Sequence, residues 1–326
     1  MRRRRNTWAV VLAAGDGTRL ASLTVDARGN PVPKQFCSLN GGAPLVDEAI
    51  QRAQHVASSD RICAVVAERH RAHWWALAEA LPARNLIVQP ENRGTAHGIL
   101  LAVLAILTRD PLADVFFFPA DHYVREEKKL AVGLETAARV VASDRDVLAL
   151  VGIRAEEPDP ELGYAVPGAT CGDGTLEVAR FVEKPDSHAA RALIAAGACW
   201  NSFIFGASAS RLRSLLQQHL GPVVEEMSTA LERDAQLRST SHALVELYGR
   251  LPSVDFSRAV MQGAAGMRLV PVHGCGWSDL GTPRRVADTL RHLSAEQRAP
   301  RGLRQSPGRT AHIDLASRHV LLATTG

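Results

Sequence analysis

Apolar runs that could form buried strands alternate, in the first half of the chain, with segments of helical periodicity. The apolar runs cover residues 8–13, 61–66, 86–88, 115–118 and 147–153. Apolar side chains at helical spacing lie between them, at residues 45–53, 95–107 and 130–141. This alternation predicts a doubly wound α/β sheet, in which ligands bind at the carboxyl ends of the strands.

The second half of the chain has a different pattern. Residues 158–167 are rich in turn formers, and short extended runs such as 176–182 follow, which predicts a β-rich insertion. Helical periodicity returns at residues 188–196, 211–219 and 255–261. After Leu293 the composition shifts to Arg, Gln, Pro, Gly and Ser. We therefore expect one large domain over residues 1–295 and a loosely ordered tail over residues 296–326.

The first apolar run leads directly into a turn that contains two glycines and an arginine, Gly15, Gly17 and Arg19. Glycine has no Cβ and adopts backbone angles closed to other residues, so successive N–H groups could converge on an anion. Arg19 adds a permanent cation with several donors. The spacing fits neither G-x-G-x-x-G nor the P-loop. Two interpretations stay open, a phosphate-binding loop and an ordinary strand-to-turn junction with a solvated arginine.

Composition and charge exclude several classes of protein. Of the 326 residues, 46% are hydrophobic and 22% are charged, as in ordinary globular proteins. No apolar run approaches the roughly 20 residues of a membrane span, and the basic start lacks the features of a secretory signal. We therefore expect a cytoplasmic protein that does not bind membranes.

The cysteines and the termini indicate no special chemistry. The 5 cysteines are dispersed and form no C-x-x-C pair, so neither a zinc site nor a disulfide framework is predicted. The net charge is +4, and arginines are concentrated at both ends of the chain. We expect solvated termini there rather than binding of nucleic acid.

Nine short segments carry residues that are typical of one enzyme family. They are residues 12–20, 33–36, 89–96, 118–122, 163–164, 181–185, 200–205, 253–256 and 276–281. In this order they resemble the motifs of the sugar-1-phosphate nucleotidylyltransferases, above all those of the mannose-1-phosphate guanylyltransferases. The chain departs from that pattern at Ala14, where a glycine is usual, and at Gly94 and His97, where asparagine and proline are usual.

The resemblance implies a fold and a reaction. The fold would be a Rossmann-like, GT-A-like nucleotidyltransferase domain with a mixed sheet, whose sugar-binding part lies at about residues 158–280. In the reaction, an oxygen of a sugar-1-phosphate attacks the α-phosphorus of a nucleoside triphosphate, and pyrophosphate leaves. Because two polyanions must meet, we expect catalysis by charge neutralisation and positioning, without a covalent nucleophile.

The resemblance also implies roles for individual residues. Arg19 would bind the triphosphate, Lys34 would contact phosphate near the reacting phosphorus, and Asp121 and Asp279 would bind Mg²⁺. The nucleotide would contact Leu12, Ala13, Ala14, Gly15, Gly17, Thr18, Glu91, Gly94, Thr95 and Ala96. The sugar phosphate would contact Gly163, Tyr164, Glu183, Lys184 and Asn201. Structural alternatives exist, since both aspartates fit turn residues and Thr95 fits a helix cap.

The expected substrates are GTP and mannose-1-phosphate, the expected cofactor is Mg²⁺, and the expected assembly is a homodimer. One alternative keeps the reaction but uses another hexose-1-phosphate, or UTP, dTTP or ATP. A second alternative is a non-catalytic subunit that senses nucleotide sugars. The presence of Arg19, Lys34, Asp121 and Asp279 disfavours it. We expect no phosphomannose isomerase activity, because no second domain or β-helix repeat is evident.

Overall fold

The computed structural model describes residues 6–39, 41–233 and 241–298. Its strands are β1 Thr7–Leu12, β2 Ile62–Ala67, β3 Leu86–Gln89, β4 Asp114–Pro119, β5 Tyr123–Val124, β6 Leu148–Arg154, β7 Gly163–Thr170, β8 Leu176–Glu183, β9 Cys199–Ser208, β10 Met267–Val272 and β11 Trp277–Ser278. Its α-helices are α1 Leu45–Ala53, α2 Arg71–Ala80, α3 Thr95–Leu107, α4 Glu127–Ser143, α5 Ser187–Ala195, α6 Ala209–Leu220, α7 Pro222–Arg233, α8 His242–Arg250, α9 Phe256–Ala259 and α10 Pro283–Arg298.

Nine of these strands form one mixed sheet, in the order β3-β2-β1-β4-β9-β6-β10-β8-β7. The strands from β3 to β4 run parallel. β9 is antiparallel to both β4 and β6, and β7 is antiparallel to β8. β5 and β11 pair separately as a short antiparallel ribbon. The predicted α/β fold with a mixed, doubly wound sheet is confirmed, and each of the five predicted strands forms.

Two apolar layers, one on each face of the sheet, form the core. β4 shows why both layers are needed, since Phe116 and Phe118 belong to one buried cluster while Val115 and Phe117 belong to the other. Successive side chains of a strand point to opposite faces, so a strand that is apolar at every position needs cover on both sides. Helix α3 is apolar all round because it packs between the sheet and α6 and α7.

The second half of the chain differs in part from its prediction. The extended runs near residues 163–183 do form strands, but β7 and β8 continue the main sheet and do not stand apart as an insertion. Strands β9 and β10 and helices α7 and α8 were not predicted. Helix α10 continues to Arg298, three residues into the predicted tail, and residues 299–326 lie outside the described residues. In the described ranges, no helix has both the length and the apolar character that crossing a membrane requires.

The strand directions bring distant segments to one edge of the sheet. The parallel strands β1, β3 and β4 all end there, and they are followed by the glycine-containing loop, residues 90–95 and Asp121 respectively. Since β9 runs in the opposite direction, it starts at this edge, and Asn201 lies near its start. The pairing of Gly163 with Glu183 places the first residue of β7 and the last of β8 beside it. The sheet therefore gathers the nucleotide and sugar motifs at one edge.

Candidate active site

A cavity of about 410 Å³ lies at this edge of the sheet. Twelve of the predicted site residues line it, namely Leu12, Ala14, Gly15, Arg19, Gly94, Thr95, Asp121, Gly163, Glu183, Lys184, Asn201 and Asp279. The other predicted residues lie outside its lining, namely Ala13, Gly17, Thr18, Lys34, Glu91, Ala96 and Tyr164. Most of the predicted site thus comes together around one space that is large enough for a small ligand.

The two glycines of the first loop differ in their backbone requirements. Gly17 has a φ of 61°, and a Cβ there would stand 3.1 Å from the backbone N of Lys34. Gly15 is not in the left-handed region, and a Cβ on it would meet nothing within 4 Å. Only Gly17 therefore needs the backbone freedom that the sequence suggested for both. Gly15 instead leaves the loop open toward the cavity.

Gln35 is a functional candidate that the sequence analysis did not single out. Its side chain is buried, and Nε2 donates to the carbonyl oxygens of Ala13 and Gly15, each at 2.8 Å. These two bonds fix the path of the loop between β1 and Arg19. The signal in the sequence was a polar residue next to Lys34, but nothing in the sequence indicated what it would bind.

Arg19 extends from this loop toward the opposite side of the cavity. Its NH1 donates to Oε2 of Glu161 at 3.1 Å, and both side chains are largely exposed. Glu161 lies just before β7 and also lines the cavity. The predicted triphosphate-binding arginine is thus paired with a carboxylate that a phosphate group could replace.

Lys34 and Asp121 form a half-buried ion pair at the floor of the site. Nζ of Lys34 lies 3.0 Å from Oδ2 of Asp121 and donates to the carbonyl oxygens of Asp279 at 2.7 Å and Leu280 at 3.2 Å. All three ammonium donors are therefore used within the protein. Burial, the largest single influence, raises the pKa of the Asp121 carboxyl, but the Lys34 charge, the His122 charge and hydrogen bonds together outweigh burial and lower that pKa. Lys34 thus anchors Asp121, which differs from the predicted direct contact with phosphate.

Asp279 is fixed through one of its two carboxylate oxygens. Its Oδ1 accepts hydrogen bonds from the N–H of Gly281 at 3.0 Å and from the guanidinium of Arg285. No described residue donates to its Oδ2. Burial raises the pKa of Asp279, and the neighbouring charge of Asp121 raises it further.

The two aspartates suit a magnesium ion that is shared with phosphate oxygens. Both line the same cavity, and within the described ranges no group of three or more His, Cys, Asp or Glu side chains could hold a metal ion. Mg²⁺ in nucleotide sites needs only one or two carboxylates, because phosphates and water complete its shell. The donor set fits Mg²⁺ bound together with a triphosphate, and it offers no complete cage for a metal alone.

His122 follows Asp121 and packs inward. Its ring lies edge-on to Trp277, with 5.3 Å between the ring centroids. Burial lowers the pKa of His122 to about 4, so the imidazole is neutral near pH 7. It therefore fills the base of the cavity without adding charge, in agreement with a structural role.

In the turn before α3, which was predicted to contact the nucleotide, some backbone N–H groups already have hydrogen-bond partners. The N–H of Gly94 donates to Oδ1 of Asn92 at 3.0 Å, and that of Ala96 donates to the carbonyl of Val254 at 3.1 Å. The hydroxyl of Thr95 accepts a bond from the N–H of Phe256 at 2.8 Å. Two backbone N–H groups of the segment that was predicted to contact the nucleotide, those of Gly94 and Ala96, are thus bonded within the protein.

Other residues, which the sequence analysis did not assign, line the nucleotide side. Gln89 ends β3, is buried, and lines the cavity. A Cβ on Gly98 would stand 3.1 Å from Oε1 of Gln89, so a glycine there gives that amide room. Asn92 donates from Nδ2 to Oδ2 of Asp16 at 3.1 Å and thereby joins the two nucleotide loops. By contrast, Glu91 is exposed and pairs with Arg93 at 2.6 Å.

The sugar side contains a buried acceptor without a partner. Oε2 of Glu183 is buried and has no hydrogen-bond partner among the described residues. Burial, followed by the charge of Asp255, raises the pKa of Glu183 to about 7. A Cβ on Gly163 would stand 2.4 Å from this Oε2, which explains the glycine. Asn201 lies alongside and donates to Oγ of Ser257 at 3.2 Å.

Lys184 and Tyr164 occupy contrasting positions. Lys184 is exposed, has a φ of 49° and lines the cavity. Tyr164 is fully buried, and its hydroxyl donates to the carbonyl of Asp159 at 3.0 Å. The same hydroxyl accepts bonds from the N–H of Asp159 at 2.8 Å and from Nε1 of Trp200 at 3.2 Å. These contacts make the Tyr164 side chain a support for residues 159–163, away from the predicted sugar phosphate.

Comparisons with known proteins agree with this geometry. The alginate biosynthesis protein AlgA of Pseudomonas aeruginosa is 31% identical over 286 residues, which are 84% of this chain and 56% of AlgA. The mannose-1-phosphate guanylyltransferase of Escherichia coli is 29% identical over 290 residues, 84% of this chain and 58% of that protein. The chain thus spans somewhat more than half the length of these curated relatives.

A solved structure shows the same fold. It is described as a mannose-1-phosphate geranyltransferase from Thermus thermophilus, and it superimposes with a TM-score of 0.71 at 28% identity. The match covers 85% of this chain and 76% of the other. A family model, described as nucleotidyl transferase, matches residues 8–296. The chain therefore belongs to the nucleotidyl transferase family, as its motifs predict.

Proposed function

We propose that this chain is a mannose-1-phosphate guanylyltransferase, which makes GDP-mannose and pyrophosphate from GTP and mannose-1-phosphate with Mg²⁺. The proposal depends on one observation above all: the glycine-containing loop, the two aspartates and the Glu183 side of the site line one cavity. The choice of GTP and mannose-1-phosphate is supported by the names of relatives such as the E. coli protein. A homodimer in the cytoplasm is part of the proposal, and light scattering tests the dimer.

In this proposal, the protein acts by holding two anions in line. The open loop at Gly15 and the guanidinium of Arg19 bind the triphosphate and stabilise the pyrophosphate as it leaves. A phosphate oxygen of the sugar phosphate forms a bond to the α-phosphorus while the bond to the β-phosphate oxygen breaks and its electrons pass to pyrophosphate. The second pKa of a phosphate monoester is about 6, so the attacking group is already ionised and needs no general base.

Asp121 and Asp279 would hold Mg²⁺ in the proposed complex. Bound there, the ion would neutralise charge on the triphosphate and orient it. Lys34 keeps Asp121 ionised and places it beside the turn that carries Asp279. A buried lysine that touches no substrate can therefore still be essential for the reaction.

Glu183 and Asn201 are the proposed partners of the sugar hydroxyls. A buried oxygen without a donor is costly, and the cost is removed when a ligand supplies an O–H group. Gly163 makes room for the Glu183 carboxylate itself, since a Cβ there would stand 2.4 Å from Oε2. Lys184, exposed at the rim, supplies a positive charge for the sugar phosphate.

The experiment that tests the proposal is release of pyrophosphate with mannose-1-phosphate and Mg²⁺, in parallel with GTP, UTP, dTTP, ATP and CTP. We expect a clear preference for GTP, and we expect Asp121→Asn to abolish turnover. Asp60→Asn is the matched control, since Asp60 is exposed just before β2, at the opposite edge of the sheet.

Each other outcome selects a specific alternative. Preference for another triphosphate keeps the reaction and changes the base. Activity with a different hexose-1-phosphate changes the sugar. A protein that binds GDP-mannose but releases no pyrophosphate with any pair of substrates is a sensing subunit, and the proposed function is then wrong.

A further inference from the structure

Arg285, on helix α10, connects Asp279, which lines the cavity, to Asp159, which lies two residues before the lining segment 161–163. One terminal nitrogen of its guanidinium donates to Oδ1 of Asp279, and the other donates to Oδ2 of Asp159. The side chains of Arg285, Asp279 and Asp159 are only 10%, 13% and 11% exposed. A single buried cation thus neutralises two carboxylates that lie far apart in the sequence.

The hydrogen bond from Arg285 to Asp279 sets the orientation of the Asp279 carboxylate. Oδ1 is occupied by Arg285 and by the N–H of Gly281, while Oδ2 receives no bond from a described residue. The carboxylate is therefore fixed by one oxygen, and the other oxygen stays available to a ligand. A residue that holds a metal-binding carboxylate in this manner tunes the affinity of the site.

The hydrogen bond from Arg285 to Asp159 connects helix α10 to the proposed sugar side of the cavity. Oδ1 of Asp159 accepts a bond from the N–H of Glu161 at 2.9 Å, and the backbone of Asp159 is bonded to the Tyr164 hydroxyl. Residues 161–163 line the cavity directly after this anchored residue. Movement of Asp159 would therefore move the side of the cavity that carries Glu161 and Gly163.

We infer that Arg285 is a positioning residue that fixes the Asp279 carboxylate and keeps the 159–163 segment in register with it. The inference rests on the proposed function. Arginine suits this task because its planar fork carries donors on separate nitrogens and so spans two carboxylates, whereas lysine offers a single point charge. Arg285 touches no substrate and acts through Asp279 and Asp159.

A purely structural ion pair would have different consequences. Removal of a buried cation that serves two carboxylates destabilises the fold, so Arg285→Ala alone would not distinguish the two roles. Arg285→Lys keeps the charge and loses the fork. Arg284→Lys is the matched control, because Arg284 is the adjacent residue, is mostly exposed and, among the described residues, pairs only with Glu157.

The test compares wild type, Arg285→Lys, Arg284→Lys and Asp159→Asn. Binding of Mn²⁺ in the presence of GTP, without sugar phosphate, is followed by electron paramagnetic resonance. We expect Arg285→Lys to weaken Mn²⁺ binding about tenfold and Arg284→Lys to change it less than about twofold. In steady-state assays, Arg285→Lys should raise both the Mg²⁺ requirement and the KM for mannose-1-phosphate. Asp159→Asn should raise mainly the latter.

Two results would overturn the inference. One is an Arg285→Lys protein whose Mn²⁺ binding, Mg²⁺ requirement and KM all match those of Arg284→Lys. The other is an Arg285→Lys protein in which only kcat falls, in proportion to the folded fraction measured by urea unfolding. That result would show a structural role for Arg285. Wild-type protein that binds Mn²⁺ with GTP but makes no product refutes the proposed function, and the Mn²⁺ comparison then still decides the role of Arg285. Wild-type protein that binds no Mn²⁺ with any triphosphate refutes both.

Discussion

The ammonium of Lys34 lies 3.0 Å from Oδ2 of Asp121 and also bonds the backbone of the turn that contains Asp279. One buried cation therefore contacts the Asp121 carboxylate and the backbone of Asp279, the two residues that are proposed to bind the metal. Among the described residues, no other lysine or arginine pairs with the Asp121 carboxylate. The consequences of removing Lys34 follow from this arrangement.

Lys34→Ala is expected to lower kcat at least about 100-fold, on the scale of a lost electrostatic contact in an active site. Because the Lys34 charge lowers the pKa of Asp121, its removal raises that pKa. The acid limb of the pH profile of kcat should then move to higher pH. Steady-state rates over a range of pH measure both effects. Lys129→Ala, at an exposed position of α4, should leave them unchanged, and a loss below about threefold in Lys34→Ala would contradict the role assigned to Lys34.

Glu161→Gln is expected to lower the KM for GTP by about two- to fivefold, because the triphosphate no longer has to displace a carboxylate from Arg19. An exposed ion pair is weak, so the gain should be small and should shrink at high salt. Glu157→Gln is the control, since Glu157 pairs with Arg284 and is not part of the cavity lining. An unchanged or raised KM in Glu161→Gln would show that Glu161 does not compete with the nucleotide.

Glu183→Gln should change how stability depends on pH. Burial raises the pKa of Glu183 from 4.5 to about 7, so the folded protein holds this proton more tightly than the unfolded chain does. The resulting stabilisation is complete below pH 4.5 and is lost as the pH rises toward 7. Relative to wild type, the variant should therefore be more stable at about pH 8 than at about pH 5. Urea unfolding at both pH values measures this. If the free energies of unfolding of variant and wild type differed by the same amount at both pH values, the raised pKa would be contradicted.

The same substitution should weaken binding of the sugar. Calorimetry with mannose-1-phosphate should show wild-type affinity falling as the pH drops below about 7, because the protonated carboxyl is a poorer acceptor for hydroxyl groups. The phosphate itself titrates near pH 6 in both proteins, so the comparison isolates Glu183. Glu183→Gln should bind more weakly near pH 8 and lose less affinity on acidification. Equal pH dependence in both proteins would place the sugar away from Glu183.

Tyr164→Phe is expected to reduce stability and to spare the chemistry. It removes a hydroxyl that bonds both backbone groups of Asp159 and the indole of Trp200, and it leaves these buried groups without partners. The free energy of unfolding should fall by about 1–3 kcal/mol. Since the side chain lies outside the cavity lining, kcat should stay within about threefold of wild type. A large rise in the KM for the sugar phosphate without loss of stability would restore a direct binding role.

The parallel strands could be predicted because they are buried on both faces and are therefore apolar at every position. β1, β2 and β4 are runs of this kind. β9 escaped prediction because the polar residues Asn201 and Ser202 interrupt its apolar run, at the place where its register with β6 shifts. The strands after residue 160 were assigned to an insertion because turn formers surround short extended runs there, and a sequence pattern does not show which sheet such runs join.

The cavity lining could be predicted where a motif directly follows a buried strand, as at Gly15 and Asp121. It could not be predicted where a polar side chain serves another part of the protein. Gln35 holds a loop, and Arg285 joins residues from distant segments. Lys34 was singled out from its motif, but its partners are Asp121 and two backbone carbonyls whose positions only the fold determines. Sequence patterns indicate which residues matter more readily than what those residues contact.

Gly94 has a consequence for redesign of this protein. Its φ is 85°, and a Cβ there would stand 2.3 Å from the carbonyl oxygen of Val254. Any other residue must push away the segment around Val254, whose neighbours Ser253 and Asp255 line the cavity. An engineer who introduces asparagine there would thus disturb the part of the cavity wall that carries Asp255, whose charge acts on Glu183. A library intended to change only the nucleotide should instead vary Gln89 and Gly98, since the atoms nearest to a Cβ on Gly98 belong to Gln89.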